Sequence, residues 1–122
     1  LDSYRDLKVW QAGIALSLDI YRATKQLPKE ELYGLVSQMR RAAVSIPSNV
    51  AEGHARGSTP EFLRFLAIAR GSLAELETQL IIATRLELLR QDSSNEILHK
   101  ADELSRMLSG LRTSLQKRLP QK

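Results

Sequence analysis

Two histidines and a scatter of arginines are the residues of this 122-residue chain whose chemistry could go beyond packing. Histidine chemistry would be proton transfer or metal binding, and neither is well supplied. His54 and His99 stand alone, no cysteine is present, and a hydrolytic triad or a zinc site needs better-placed partners beside them. Glu96-Ile97-Leu98-His99 has the Glu-x-x-His form used by carboxylate-bridged di-iron bundles. Such a site uses that element twice and adds two inward glutamates. Here it occurs once, and helical spacing turns His99 away from Leu104 and Leu108. The reading is a non-enzyme without metal or cofactor, to be tested by metal analysis of the purified protein.

Arginine chemistry is the alternative, because a guanidinium pairs with phosphate or carboxylate through a planar fork of donors. Gln38, Arg41, Ser45, Asn49, Glu52 and Arg56 fall within roughly 100° of one another on a helical wheel. A second stripe, Glu61, Arg64, Ser72, Glu75 and Gln79, follows on the next predicted helix. In one reading the two stripes face each other, with Arg41 and Arg64 pairing Glu75 and Glu52. Gln38, Ser45, Asn49, Glu52, Ser72 and Glu75 then form a polar network or oligomer packing, since a buried charge requires a partner. In the other reading Arg40, Arg41, Arg56 and Arg64 meet nucleic-acid phosphates. A second basic region, Arg106, Arg112, Lys117, Arg118 and Lys122, follows Glu103 with no further acid. Cations there complement a helix C-terminus, and they could also contact phosphate in a salt-dependent way. Trp10, Tyr21, Phe62 and Phe65 are read as core aromatics and not as stacking platforms.

The elements that must position these groups are helices. Hydrophobic residues make up 43% and charged residues 26%, a globular balance, and the abundance of Leu, Ala, Arg and Glu against 5% aromatic residues favours helix over strand. One domain over residues 1–122 is expected. No apolar run approaches the roughly 20 residues that span a bilayer, and LDSYRDLKVW lacks a secretory core, so the expectation is a cytoplasmic protein without a membrane. Because the chain begins at Leu1, a short native N-terminal piece is expected before it. A net charge of +4 favours polyanions.

The first helix is predicted from about residue 5 to 26, ending before Leu27-Pro28. It carries two apolar stripes, Leu7, Trp10, Ile14, Leu18 and Tyr21 on one side and Val9, Ala12, Gly13, Leu16 and Ile20 on the other. The second runs from about 29 to 55 with a seam of Leu32, Val36, Met39, Ala43, Ile46, Val50 and Gly53, and a kink expected at Pro47. Thr59 is the predicted cap of the third helix, which extends to about Leu89 on Phe62, Leu66, Ala69, Leu73, Leu76, Leu80 and Ala83. A second stripe there holds Leu63, Ala67, Ala74 and Ile81. Ser93-x-x-Glu96 reads as a capping box for the fourth, whose single stripe is Ile97, Ala101, Leu104, Leu108, Leu111 and Leu115. The fold class is all-α, an antiparallel up-down-up-down four-helix bundle. Helices one to three carry more apolar surface than one core can use, which predicts a homo-oligomer.

Three stretches carry a resemblance. Tyr4-x-x-Leu7-x-Val9-Trp10-Gln11, then Gln38-x-Arg40-Arg41-Ala42-x-x-Ser45-Ile46-Pro47-x-Asn49-x-Ala51-Glu52-Gly53, and Arg64-Phe65-Leu66 with Gly71-Ser72-x-x-Glu75-x-Glu77, resemble the 23S rRNA intervening-sequence protein family over roughly residues 4–90. His54-Ala55 departs from the aromatic residue and glycine more usual there. The resemblance implies a homopentameric bundle, often with a central channel. It also implies a likeness to the accessory variability determinant of diversity-generating retroelements, a basic pentamer that binds reverse transcriptase and nucleic acid. The resulting expectation is a non-enzymatic homo-oligomer whose partners are copies of itself and RNA or DNA. The alternative is a structural or protein-interaction module with no nucleic-acid ligand.

Overall fold

A computed structural model describes residues 3–120. Four long helices dominate it: α1 (Lys8–Thr24), α2 (Ser37–Ala55), α3 (Thr59–Arg85) and α4 (Gln91–Gln116). The described residues contain no strand, and the principal packing is of α2 on α1 and α3, and of α4 on α3 and α1. Partners along α1 and α2 run in opposite order, Thr24 with Arg40, Ser17 with Ala43 and Gly13 with Pro47. Lys100 of α4 reaches back to Asp19 of α1 at 2.9 Å.

The four-and-three seams form the core. Met39, Ala43, Ile46, Val50, Leu66, Ala69, Leu76, Leu80, Ala83 and Leu108 have no or almost no exposed surface. On α1 the buried stripe is Val9, Gly13, Leu16 and Ile20, while Ile14, Leu18 and Tyr21 of the other stripe stay exposed. Tyr21 is therefore not a core aromatic, and Leu32 is likewise exposed instead of opening the α2 seam. Phe62 and Phe65 are buried as expected, with Trp10 half-buried against the core.

Helix boundaries differ from the sequence reading where local capping decides. Residues Tyr4–Asp6 make a separate 3₁₀ turn capped by Ser3, and Leu7 is extended (ψ 128°), so α1 starts at Lys8. Between Pro28 and Ser37 the chain forms a 3₁₀ turn and a π turn instead of continuous α-helix, with non-helical backbone at Gly34 (φ −105°, ψ −113°). The cap of α3 is Ser58, whose Oγ accepts from Glu61 N at 3.3 Å, one residue before the predicted Thr59. Gly57 adopts a left-handed φ of 79°, which lets the chain reverse between α2 and α3. No capping box opens α4. That helix starts earlier, at Gln91, because Ser94 is drawn inside, its Oγ 2.7 Å from Thr84 Oγ1 of α3. At the other end α3 stops at Arg85, with Leu88 N donating to Ala83 O and Glu87 left-handed at φ 62°.

α2 runs through Pro47 as a single helix. Proline has no N–H for the carbonyl four residues back, and the buried Ala43 carbonyl loses that donor. Ser17 of α1 replaces it: its hydroxyl proton is shared between its own Gly13 carbonyl at 2.9 Å and Ala43 O at 3.2 Å. Gly13 lets the ring lie close, since a Cβ there would stand 3.2 Å from Pro47 Cβ and Cδ.

Candidate functional site

The two polar stripes do come together between α2 and α3, but not as a cross-helix ion network. Ser45 Oγ hydrogen-bonds Ser72 Oγ across the interface, and Asn49 Nδ2 donates to Ser45 O on its own helix at 2.7 Å. Arg64 pairs with Glu61 one turn back at 2.9 Å instead of with Glu52, and Arg41 pairs with no acid among the described residues. Gln38, Arg41, Glu52 and Glu75 are exposed, so water satisfies them and no buried charge calls for a partner. Gln79 is the exception: it is only 7% exposed, and its Oε1 has no hydrogen-bond partner among the described residues. The hydrogen bond from Arg64 is the main cause that holds the Glu61 carboxyl below the usual range; burial opposes it, and the charges of Arg64 and Arg56 add to the lowering.

The four arginines assigned to phosphate fall into different environments. Arg40 is engaged within the protein. Its Nε donates to Thr24 Oγ1 at 2.9 Å, a terminal nitrogen reaches Tyr21 O at 3.4 Å, and the guanidinium lies 4.5 Å from the Tyr21 ring centroid. Thr24, itself buried, passes its own proton to Ile20 O at 2.7 Å. This cluster ties the end of α1 to the start of α2. Arg56 and Arg64 sit on the Phe65 ring at 5.0 and 4.6 Å, a cation–π arrangement that holds both heads at the surface. Arg41 is exposed beside a shallow depression of about 410 Å³ that also borders Tyr21, Val44 and Ser48. The helical wheel places Arg41 but not Arg40 on the polar stripe, yet it does not show that Arg40 is engaged, because that depends on α1, where Thr24 meets only one of them.

At the far end of the bundle a larger cavity of about 480 Å³ opens where all four helices finish or begin. Leu7, His54, Phe62, Leu111, Leu115 and Arg118 are among its walls. His54 stands edge-on to Phe62 with ring centroids 5.7 Å apart. Lys117 and Arg118 are exposed, while Arg112 is half-buried with an Nε that finds no acceptor among the described residues. Arg106 is paired with Asp102 at 2.7 Å, and Lys122 lies outside the described residues. This cavity was not legible beforehand, because its lining is spread over four segments of the chain.

Among the described residues no three His, Cys, Asp or Glu side chains gather as metal ligands. His99 Nε2 points along the surface to Glu103 at 3.1 Å. No helix among the described residues is long and apolar enough to cross a membrane.

The other conspicuous feature is apolar. Among the described residues ten large hydrophobic side chains are exposed, and all lie between Ile14 and Leu86, with none on α4. Ile14, Leu18, Tyr21 and Val44 line one side, along the α1/α2 edge. Ile68, Ile81 and Ile82 lie on α3, with Leu86 just past its end.

Comparison with known proteins places this architecture. Residues 5–110 match the 23S rRNA-intervening sequence protein family. Among solved structures, the chain is similar to a protein of unknown function from the S23 ribosomal protein family of Bacteroides thetaiotaomicron. That likeness has a TM-score of 0.80 at 23% identity, covering 86% of this chain and 95% of the other. At that identity it speaks for the fold alone. Among curated proteins none matches.

Proposed function

This chain belongs to the 23S rRNA-intervening sequence protein family, and from that footing we propose that it is a non-enzymatic bundle that assembles into a closed homopentamer and serves as an accessory to nucleic acid or a ribonucleoprotein. The observation that carries the reading is the placement of the ten exposed apolar side chains, all on the part of the chain before α4. Water-exposed apolar area of this extent is costly, and a partner surface removes the cost. One set lies along the α1/α2 edge and the other on and just beyond α3, so a contact that pairs one with the other joins unlike surfaces. Such a head-to-tail contact closes into a ring when its rotation allows. With about 800 Å² buried per partner at a standard interface, two such contacts would take roughly a fifth of the 7590 Å² accessible on one chain. α4, with a single apolar stripe, faces outward. The net charge of +4 then multiplies with copy number into a polybasic particle.

Light scattering and sedimentation at micromolar concentration test the assembly. The expected result is one species of five chains, with Leu18→Glu or Ile82→Glu giving a helical monomer. A monomeric wild-type protein would sink the proposal. Anisotropy titrations of labelled RNA and DNA over a salt series test the ligand, with affinity falling steeply as salt rises. A second reading has its own support in the engaged arginines, since Arg40 ties α1 to α2 and Arg64 pairs with Glu61. In that reading the oligomer is a structural or protein-interaction module, and a well-assembled oligomer binds no nucleic acid even at low salt.

A further inference from the structure

The net positive charge of this bundle is concentrated at one end. The segments that meet around the 480 Å³ cavity, residues 3–14, 47–72 and 104–120, carry nine Lys and Arg against three Asp and Glu. The remaining described residues, 15–46 and 73–103, are close to balance, with eight cations against ten acids. Of the nine cations only Arg64 and Arg106 form salt bridges among the described residues. Like charges gathered at one end repel, and a protein that keeps them there gains only when a polyanion supplies the missing partner. The half-buried Arg112 Nε without an acceptor is one such unmet donor.

The cavity within this basic end is mainly apolar, walled by Leu7, Phe62, Leu111 and Leu115 with His54 and Arg118 at its polar side. Its volume falls in the range of about 300–1,000 Å³ typical of small-ligand sites. A planar, apolar-faced group joined to a phosphate matches both halves of the site. A nucleobase in a single strand is such a group, because it can leave the stack and enter a pocket, whereas a paired base in a duplex cannot do so without melting.

We propose that the basic end of the bundle is a binding site for single-stranded nucleic acid, with the backbone on Lys117, Arg118 and Arg56 and one unstacked base in the cavity between Phe62 and Leu111. This rests on the nucleic-acid reading above and assigns it a place at the end of the bundle, sharing only Arg56 with the α2/α3 stripe. Phosphates on the end-face cations supply affinity that falls with salt, and the cavity supplies the preference for an unpaired base.

The test uses the full chain in its native assembly, with short single-stranded RNA, single-stranded DNA and the matching duplexes as probes, each titrated over a salt series. Wild type is expected to bind single strands more tightly than duplex. Lys117→Gln with Arg118→Gln, both exposed and so harmless to folding, should weaken single-strand binding about tenfold or more and lower the salt slope by roughly 0.7 for each phosphate lost. Leu111→Trp, which fills the cavity at unchanged charge, should keep the salt slope and lose the single-strand preference, with circular dichroism confirming an intact bundle. If Lys117→Gln with Arg118→Gln binds as wild type while Arg41→Gln loses affinity, the site lies on α2, this inference fails and the nucleic-acid reading stands. If the assembled wild type binds none of the four probes at low salt, both fail. RNA and DNA are separated by comparing the two single strands.

Discussion

Ser17→Ala tests whether a hydroxyl on one helix stands in for the donor that a proline removes from another. Pro47 leaves the buried Ala43 carbonyl without its intrahelical partner, and Ser17 Oγ lies 3.2 Å from it. An unsatisfied buried carbonyl costs about 1–3 kcal/mol, so Ser17→Ala should destabilise by that amount. At roughly 4 °C per kcal/mol for a chain of this size, the Tm should fall by about 4–12 °C. Pro47→Ala restores an N–H to position 47, which can reach Ala43 O in the ordinary helical way. In that background Ser17→Ala should cost less than about 1 kcal/mol, giving a coupling of about 1–2 kcal/mol in the double-mutant cycle. The sign of Pro47→Ala alone is not the point, since it also removes ring packing against Gly13. Urea unfolding of the four proteins at one fixed concentration measures the cycle, because assembly makes stability concentration-dependent. Equal cost of Ser17→Ala in both backgrounds would refute the argument, meaning that the Ala43 carbonyl is satisfied some other way.

Arg40→Ala should lower stability by about 1–3 kcal/mol, because it removes the hydrogen bond to Thr24 and the contact with the Tyr21 ring, while Arg41→Ala should change it by less than about 0.5 kcal/mol. Urea midpoints compare the two directly. Gly53→Ala would place a Cβ 2.6 Å from Phe65 Cβ and force α2 from α3, so it should destabilise despite a gain in helix propensity; Gly110→Ala meets open space and should stabilise by about 0.5–1 kcal/mol, both read from thermal melts. Burial, and then the neighbouring Asp102 charge, raises the Glu77 carboxyl above its ordinary value. As pH rises above about 4.5 the unfolded chain gives up this proton first, so Glu77 lowers stability through that window and onward to neutral pH. Glu77→Gln should therefore raise the Tm slightly at pH 7 and lose that advantage below about pH 4, as followed by melts across pH.

What the sequence by itself determined is the set of helices and the seam that each turns inward. Heptad-like spacing is a local property of the backbone, and Met39 to Val50, Phe62 to Ala83 and Ile97 to Leu115 reach the core where their periodicity puts them. The family resemblance was also legible, because its motifs are contiguous. Tertiary structure alone decided which of two apolar stripes on α1 is buried, since both satisfy the same period and only the neighbours choose between them. It also drew Ser94 inside α4, because that hydroxyl goes where Thr84 of α3 lies. The engagement of Arg40 by Thr24, and the gathering of His54, Phe62, Leu111 and Arg118 around one cavity, belong to the same class. Their members lie many residues apart in the chain, and what brings them within reach is the packing of whole helices, which no local pattern encodes.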